Sequence, residues 1–461
     1  MPRLTAKDNA AQHDPRRFHI LPPPQIAGTV DGNEEALQQA YSHIDAVQRG
    51  RCQPGTTPLV IQRLTVLGIA NDLNYVVRAL AIAMRDKGSQ LLLLPPATTP
   101  EGKAGKWSGD RTSLVKGRTQ ESAWHWLDGL DGATHRHVFW PSACQEMLED
   151  TSKERLKAFD LLSRNGSTAA AAERTGLGTK VFDTALSMRM LGRGMSIGDV
   201  PEQFRRHGML WWYQALSTYV VRVRGVLAKR LQRHPALTAL VERMRPAHGQ
   251  EGTGARLQWE WLRASRHALR RATGGAASDP GWLPSVAFDA GLHIRMGDAC
   301  GPKARPHQAA VRKCVSSLRA GLEPLLAHGV LSRGGRLFLA TDSPQIVEEA
   351  QAAAAGLSFE VHHLSINRSK YDTEAWIELA SAASRSTTSI LEETLLDVLL
   401  LSRSRFIAGS MYGNVPRLAL QLRPTTPGDA RRLAYITTDG RDWCTKPTCM
   451  SNNTPTGRFW R

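Results

Sequence analysis

The second half of the chain alternates between apolar stretches that end abruptly and longer amphipathic stretches, and this alternation restricts the possible folds more than any other feature. Strands are predicted at SVAFDAGLHIR, RLFLAT, SFEVHHL and RFIAG. Helices are predicted around residues 306–327 and over PQIVEEAQAAAA, ILEETLLDVLLLS and NVPRLALQL. One strand and one helix in about every 25–40 residues predict a parallel sheet covered on both faces, which is the doubly wound α/β class. Ligands of such sheets bind at the carboxyl ends of the strands.

The first half contains one clear unit of the same kind. A strand in PLVIQRLTVLGIAN, a helix in DLNYVVRALAIAMRDKG and the apolar run Leu91–Leu94 together predict a β-α-β unit. Residues 150–235 are predicted to be mainly helical, with apolar spacing in KVFDTALSMRML and LWWYQALSTYVVRVRGVLAKRL. The stretch TGGAASDPG at residues 273–281 is rich in Gly, Ser and Pro, so the hinge between domains is placed there.

The length of 461 residues exceeds a usual single core and predicts about two domains. The expected division has an irregular N-terminal arm, an N-terminal domain with a helical insertion, a C-terminal domain and a C-terminal tail, at residues 1–56, 57–280, 281–436 and 437–461. A composition of 41% hydrophobic and 22% charged residues is typical of a globular protein. No stretch approaches the roughly 18–20 apolar residues of a membrane helix, so no membrane span is expected.

The formal charge of +17 favours anionic ligands and disfavours cationic ones. Nucleic acid is one anionic candidate, and it would bind in a salt-sensitive manner. The basic residues are nevertheless spread along the chain, and the densest cluster, Arg266 to Arg271, lies in a helix-like stretch that is better interpreted as a solvated face. A nucleic-acid partner is therefore not expected.

The six cysteines include no Cys-x-x-Cys pair and no Cys/His metal spacing, so no zinc site is expected. In an oxidising compartment, Cys300 with Cys314 and Cys444 with Cys449 could each close a short loop. The chain also has three Asn-x-Ser/Thr sequons, at Asn165, Asn367 and Asn452, which would be usable in a secretory lumen.

The first predicted strand of the second half ends in HIRMGD. Alternation places His293 and Arg295 on one face of that strand. An arginine at a carboxyl edge beside Gly297, which allows close approach of the backbone, suits a phosphate, because guanidinium donates two parallel hydrogen bonds. An ordinary ion pair between Arg295 and Asp298 is the alternative.

The next strand ends in FLATDSP. Ser343 and Pro344 are typical of an N-cap and of a first helical residue, and capping alone would explain Ser343. Capping does not explain Asp342, which could accept a hydrogen bond from a sugar or ribose hydroxyl.

A third strand end, in FIAGSMYGNVPRLALQL, contains a turn at Gly409, Ser410, Gly413 and Asn414 whose backbone N–H groups could face a phosphate. Upstream, Asp397 lies in an otherwise apolar helix, where a carboxylate needs a partner. It could pair with the N1–H and the amine of guanine, or form a salt bridge with Arg403 or Arg405.

These three C-terminal motifs, in this order and spacing, resemble those of the α1,6-fucosyltransferase and protein O-fucosyltransferase superfamily. In the first half, LGIANDLNYVVRALAIAM and HVFWPSAC resemble two further superfamily segments, and HGMLWWYQALSTYVVR resembles the Trp-Trp helix of the α1,6 branch. The ordered blocks extend over about residues 60–425.

The resemblance implies a GT-B architecture, in which two Rossmann-like domains face a cleft. It also implies that GDP-fucose binds mainly to the C-terminal domain, without a required metal or other cofactor. The acceptor would be a glycan or glycoprotein, the transfer would invert the anomeric centre, and the protein would work in the Golgi or endoplasmic reticulum lumen. Arg295 matches the essential arginine at the donor diphosphate and His293 a donor-site histidine. Asp342 and Asp397 match the aspartates near the donor and at guanine, and Gly68 and Asn71 match the N-terminal loop that approaches the donor.

The sequence departs from the α1,6 pattern in the same motifs. Met296 replaces a second arginine, Ala299 a lysine, and Lys303 the carboxylate proposed to activate the acceptor. The donor-contacting serine aligns with Gly413, for which Ser410 or Asn414 could substitute, and Asp298 is the candidate general base. These departures motivate an alternative, a catalytically silent protein that binds GDP or a glycan.

Overall fold

A computed structural model describes residues 30–53, 56–63, 69–85, 88–94, 138–139, 141–146, 181–183, 197–244, 271, 288–297, 317–327, 329–371, 387–411, 413–423, 435–438 and 443. Within these residues the protein is an α/β structure with one parallel sheet of three strands and one of five. The predicted α/β class, with a parallel sheet in the second half, is confirmed.

Residues Val30–Gln48 form helix α1, whereas the sequence predicted an irregular arm. Buried apolar side chains recur on this helix at Leu37, Tyr41 and Ile44, three or four residues apart. The prediction is wrong over this segment, because this spacing of apolar side chains lets a mostly polar stretch pack as a helix.

The smaller sheet contains the predicted β-α-β unit. Strand β1 (Leu59–Arg63), helix α2 (Ile69–Arg85) and strand β2 (Gln90–Leu94) follow one another, and the two strands are parallel. Strand β3 (Val181–Asp183) pairs in parallel with the other side of β1, giving the order β2-β1-β3. Residues 181–183 were predicted as helix. That prediction is wrong because their backbone pairs with β1, a strand far away in sequence.

Short helices follow β3. Two 3₁₀-helices, Ile197–Asp199 and Glu202–His207, lead into α3 (Met209–Val220), which is followed by α4 (Gly225–Gln232) and α5 (Pro235–Arg243). The sequence predicted one continuous helix through α3 and α4. The chain instead leaves the helix at Val221 and re-enters it at Gly225, whose φ of 59° lies in the left-handed region that glycine favours.

The larger sheet is built from the second half of the chain. Its strands are β4 (Phe288–Ile294), β5 (Arg336–Thr341), β6 (Glu360–His362), β7 (Ser404–Gly409) and β8 (Tyr435–Thr437). They lie in the order β6-β5-β4-β7-β8, and each neighbouring pair is parallel. The sequence predicted the first four strands; it did not predict β8.

Helices cover both faces of this sheet. Helices α6 (Leu318–Ala327) and α7 (Pro344–Leu357) share one apolar cluster with Leu292, Ile294 and Leu339. Helices α8 (Thr387–Leu401) and α9 (Asn414–Leu422) share another cluster with Phe338 and Ile407. Alternate residues of one strand therefore face different helix layers, as expected for a doubly wound sheet.

The cluster on the second face continues into the first half of the chain. It includes Leu73 of α2 and Trp212 of α3 together with Leu418 of α9. Gln214 Nε2 of α3 also donates a hydrogen bond to the Leu420 carbonyl of α9 at 3.0 Å. The two sheets are thus linked through packed helices, and the division into domains at residues 280/281 stays a prediction.

A disulfide joins Cys52 to Cys144, 92 residues apart in sequence. It connects the segment after α1 to a segment that hydrogen-bonds β2, since Leu93 N donates to Gln145 Oε1 at 2.7 Å. Spacing did not indicate this pairing, because the partners come together only when α1 packs. The two pairings considered from the sequence, and the basic residues 266–270, lie outside the described residues.

Candidate functional site

The order of the strands in the larger sheet reverses between β4 and β7. From β4 the chain moves outward through β5 to β6, and it then returns to the other side of β4 with β7 and β8. At such a switch point the connections leave toward opposite faces and open a crevice beyond the strand ends. The residues that follow β4 and β7 are therefore the place to look for a ligand site.

Arg295 is the first residue after β4. Its side chain is 34% exposed, and Nε lies 3.9 Å from Asp342 Oδ2, a carboxylate that is only 8% exposed. The guanidinium is thus at the protein surface beyond the end of β4, outside the apolar core. Asp298, which the sequence offered as its alternative partner and as general base, lies outside the described residues.

Asp342 connects the ends of two strands. Its Oδ1 accepts a hydrogen bond from the backbone N–H of Met296 at 2.7 Å. A Cβ placed on Gly297 would lie 2.7 Å from Asp342 Oδ2, so a side chain there would displace the carboxylate. Asp342 and Gly297 therefore fix the backbone that carries Arg295.

The segment after Asp342 is a capped helix start. Ser343 Oγ accepts a hydrogen bond from Ile346 N at 3.3 Å, and Pro344 is the first residue of α7. The capping interpretation of these two residues is confirmed. Ser343 is therefore explained by the fold.

His293 lies in β4 between its two neighbours, paired with Ala340 of β5 and with Gly409 of β7. Burial, together with the positive charge of Arg295, lowers the pKa of His293 to about 3. The imidazole is therefore neutral near pH 7, and it does not add positive charge to the site.

In the turn after β7, one backbone N–H group that was expected to face a ligand is instead bonded within the turn. The backbone N–H of Gly413, one of the groups expected to face a phosphate, donates to the Ser410 carbonyl at 2.9 Å. Gly413 is the N-cap of α9 and supplies no side-chain cap. Ligand binding at this turn would therefore use the first amides of α9, with Ser410 and Asn414 beside them.

Asn71 of α2 meets Asn414 of α9. Asn414 Nδ2 donates to Asn71 Oδ1 at 3.1 Å, and Asn74 Nδ2 donates to the Asn414 carbonyl at 3.2 Å. The structure thus brings one residue of the N-terminal motif to the third C-terminal motif, 343 positions away. Gly68, the other predicted residue of that motif, lies outside the described residues.

Asp397 is a partly buried carboxyl on α8. The pKa of Asp397 is raised to about 8, mainly by burial; the positive charge of Arg368 opposes this rise, and the charges of Glu393 and Asp342 add to it. The cation that influences Asp397 most is thus Arg368, instead of Arg403 or Arg405. Arg405 is exposed, and its guanidinium lies 5.5 Å from the centre of the Phe406 ring.

Arg368 was not singled out from the sequence. It is 7% exposed, and its Nε and Nη2 donate to the carbonyls of Thr341 at 3.0 Å and Leu364 at 2.8 Å. It belongs to a short 3₁₀-helix, Arg368–Tyr371, and it holds the loop after β6 against the end of β5. A buried arginine in a polar loop has no periodic signal, so it could not be found from the amino-acid sequence.

Glu393 was missed as well. Its two carboxylate oxygens accept from Lys370 Nζ at 2.5 Å and from Tyr371 Oη at 2.6 Å. A signal did exist, since Glu393 precedes Asp397 by four residues and therefore lies on the same side of α8. Two carboxylates one helical turn apart in an apolar helix indicate a cluster of polar side chains on one side of α8.

The described side chains include no group of three or more His, Cys, Asp or Glu residues placed to hold a metal ion. None of the helices in the described part of the chain combines the length and apolarity that crossing a bilayer requires. Neither a protein-family model nor a curated protein matches the chain. What this site binds is therefore inferred from its own side chains and from the ordered sequence blocks around them.

Proposed function

We propose that the protein binds GDP-fucose at the carboxyl edge of the five-stranded sheet and transfers fucose, with inversion and without a metal, to a glycan or glycoprotein. The observation that carries this proposal is the position of Arg295, partly exposed at the switch point and beside Asp342. A GT-B arrangement of two Rossmann-like domains and work in the Golgi or endoplasmic reticulum lumen are parts of the same proposal.

The reaction breaks the bond between C1 of fucose and the oxygen of the diphosphate. Positive charge develops on the sugar ring and negative charge on the departing GDP. Arg295 and the first backbone amides of α9 would stabilise that negative charge. One hydrogen-bond donor preorganised in this way typically increases the rate by a factor on the order of 10²–10³.

The other residues have supporting roles in this proposal. Asp342 holds the backbone of Met296 and would accept a hydrogen bond from a sugar or ribose hydroxyl. His293, as a neutral imidazole, would donate a hydrogen bond to GDP-fucose. Asp397 would accept from N1–H and the amine of guanine. The N-terminal motif, with Gly68 and Asn71, would approach the donor from the side of α2.

The alternative is a catalytically silent protein that binds GDP or a glycan. Met296, which stands where the α1,6 enzymes have a second arginine, is partly buried and packs against the apolar cluster of α6 and α7. It therefore supplies no charge to a leaving group. This observation favours weaker catalysis than in the α1,6 branch.

Nucleotide binding is tested first, by thermal shift with GDP, UDP, CMP and ADP at equal concentrations. A ligand that binds only the folded chain raises its stability in proportion to the logarithm of its concentration over Kd. We expect GDP to raise Tm well above the other three nucleotides. Equal shifts for all four, or none, would contradict a guanine-specific donor site.

Catalysis is then separated from silent binding by two measurements on the same preparation. Calorimetric titration with GDP reports binding, and release of free fucose from GDP-fucose reports bond cleavage. Cleavage together with binding supports the transferase, whereas binding without cleavage or transfer supports the silent protein.

A further inference from the structure

Asn367 is an exposed asparagine in the loop between β6 and the 3₁₀-helix that begins at Arg368. The sequence there reads Asn-Arg-Ser, an acceptor sequon for N-linked glycans. Of the three sequons, this is the one within the described residues. Its geometry can therefore be compared with what a glycan requires.

The sequon is folded as a compact turn. Asn367 Oδ1 accepts from the backbone N–H of Ser369 at 3.1 Å and from its hydroxyl at 2.7 Å. Both bonds use the oxygen of the amide, and they orient it toward the chain. The Nδ2 atom, to which a glycan is attached, has no hydrogen-bond partner within the described part of the chain, so its modification breaks no contact there.

The middle residue of the sequon anchors it to the fold. Arg368 is buried and bonds to backbone carbonyls, while Asn367 and Ser369 on either side are exposed. The loop follows β6, which is an edge strand of the five-stranded sheet. A large substituent on Asn367 would therefore extend into solvent from a rigidly held position.

A second observation indicates a compartment in which such glycans are added. Cys52 and Cys144 form a disulfide that connects segments 92 residues apart. Disulfides of this structural kind persist in oxidising compartments and are rare in the cytosol. The disulfide and the exposed sequon are independent features, and both fit a chain that passes through the secretory pathway.

We propose that Asn367 carries an N-linked oligosaccharide. In the transfer, Nδ2 of Asn367 forms a bond to C1 of the first sugar of a lipid-diphosphate-linked oligosaccharide. The bond between C1 and the diphosphate oxygen breaks, the lipid diphosphate leaves with the electron pair, and the amide nitrogen loses one proton. The inference does not depend on what the sheet edge binds.

Peptide mass spectrometry of the full-length protein from the cells that make it tests the proposal. Chymotrypsin cuts after Leu364 and Tyr371 and releases a peptide that contains the whole sequon. Treatment with a glycoamidase in heavy-oxygen water converts a glycosylated asparagine to labelled aspartate. Labelled aspartate at position 367 is the expected result, and an unlabelled, unmodified Asn367 peptide would overturn the proposal.

Variants of the same chain provide the matched comparison on gels. Asn367→Gln and Ser369→Ala should each remove the mobility shift of one glycan, whereas Ser369→Thr, which preserves the sequon, should retain it. Because both side chains are exposed, these changes should leave the far-ultraviolet spectrum unchanged. Wild-type mobility in Asn367→Gln would overturn the proposal, as would free thiols at Cys52 and Cys144 in the native protein.

Discussion

The carboxyl edge of the five-stranded sheet and the aromatic junction between α1, α3 and the 3₁₀-helix Glu202–His207 differ in how far they remove side chains from water. At the edge, Arg295 keeps a third of its side chain in water and lies beside the nearly buried Asp342. At the junction, Trp211 and Trp212 are fully buried, and the indole of Trp212 stacks on Phe204 with ring centres 5.2 Å apart.

The difference separates the requirements of binding from those of stability. In the proposed site, a charge that binds a diphosphate has to remain accessible, so its position is set by neighbours such as Gly297 and Asp342. Side chains that hold helices together gain most from complete removal from water. Substitutions in the two regions should therefore change different quantities.

The largest effect is expected from Trp212→Ala in the junction. Removing a fully buried indole should cost about 3–5 kcal/mol of unfolding free energy, through lost burial and the cavity left behind. Urea unfolding measures this change, and the GDP affinity of the fraction that remains folded should equal that of the wild type. A loss below about 1 kcal/mol would contradict the packing described here.

Arg295→Ala should lower turnover and leave stability nearly unchanged, the opposite of Trp212→Ala. We expect a loss of on the order of 10²–10³ in turnover of GDP-fucose, because the departing diphosphate loses its cation. Unfolding free energy should change by less than about 0.5 kcal/mol, because the side chain lies partly in water. Near-normal turnover in a folded variant would remove this arginine from the mechanism.

Arg405→Ala is the matched control for that variant. Arg405 is an exposed arginine of the same sheet, in β7 near the amino end of the strand. Its replacement should leave both turnover and stability close to wild type. An equal loss of turnover in both variants would indicate a general effect of charge instead of a site.

Asp397→Asn should weaken GDP binding about 10- to 100-fold, the usual contribution of hydrogen bonds to a charged acceptor. Because the folded pKa is about 8, the free protein holds a proton near neutrality that guanine binding would release. Wild-type affinity for GDP should therefore rise with pH up to about 8, and the variant should lose this rise. Calorimetry in buffers of different ionisation enthalpy measures the released proton.

The same pKa predicts the pH dependence of stability. Between pH 4 and about 8 the folded protein keeps a proton that the unfolded chain has lost, so this carboxyl lowers the unfolding free energy as pH rises. Asp397→Asn should remove that decline. For the binding experiment, the control is Asp289→Asn, at the amino end of β4, which should leave the GDP affinity unchanged. A decline that persists in Asp397→Asn would show that another group causes it.

The smallest effect is expected for the pair of Asn71 and Asn414. A double-mutant cycle to alanine should give a coupling of about 0.5–1.5 kcal/mol in unfolding free energy, as for a neutral hydrogen bond. The exposed pair of Gln39 and Glu35 on α1 should give less than about 0.5 kcal/mol. If no coupling is measured, the hydrogen bond between the two asparagines does not stabilise the packing of α2 against α9.

Much of the fold could be predicted, because periodicity is a local signal. The runs that became β4, β5 and β7 are apolar and stop at polar residues, and the helices between them carry apolar faces. The predictions for α1 and β3 were wrong because their local signal is weak. Helix α1 is mostly polar, and the three residues of β3 are a strand only because β1 lies beside them.

The positions of the candidate residues at strand ends could be predicted, whereas their contacts could not. Arg295, His293, Asp342 and Ser410 follow or end strands, and strand ends are visible in the sequence. The bond from Met296 to Asp342 and the clamp formed by Arg368 span 46 and 27 residues and depend on which strands are neighbours.

The amino-acid sequence by itself determined the α/β alternation, the strand ends that carry Arg295 and Asp342, and the start of α7 at Ser343 and Pro344. These features depend on neighbours within a few turns of chain, where spacing of apolar and capping residues is sufficient. Only the tertiary structure decided that Asn71 meets Asn414, that Cys52 pairs with Cys144, and that Arg368 lies near Asp397. Such partners depend on the order of strands and on the packing of helices, which are set by the burial of the whole core.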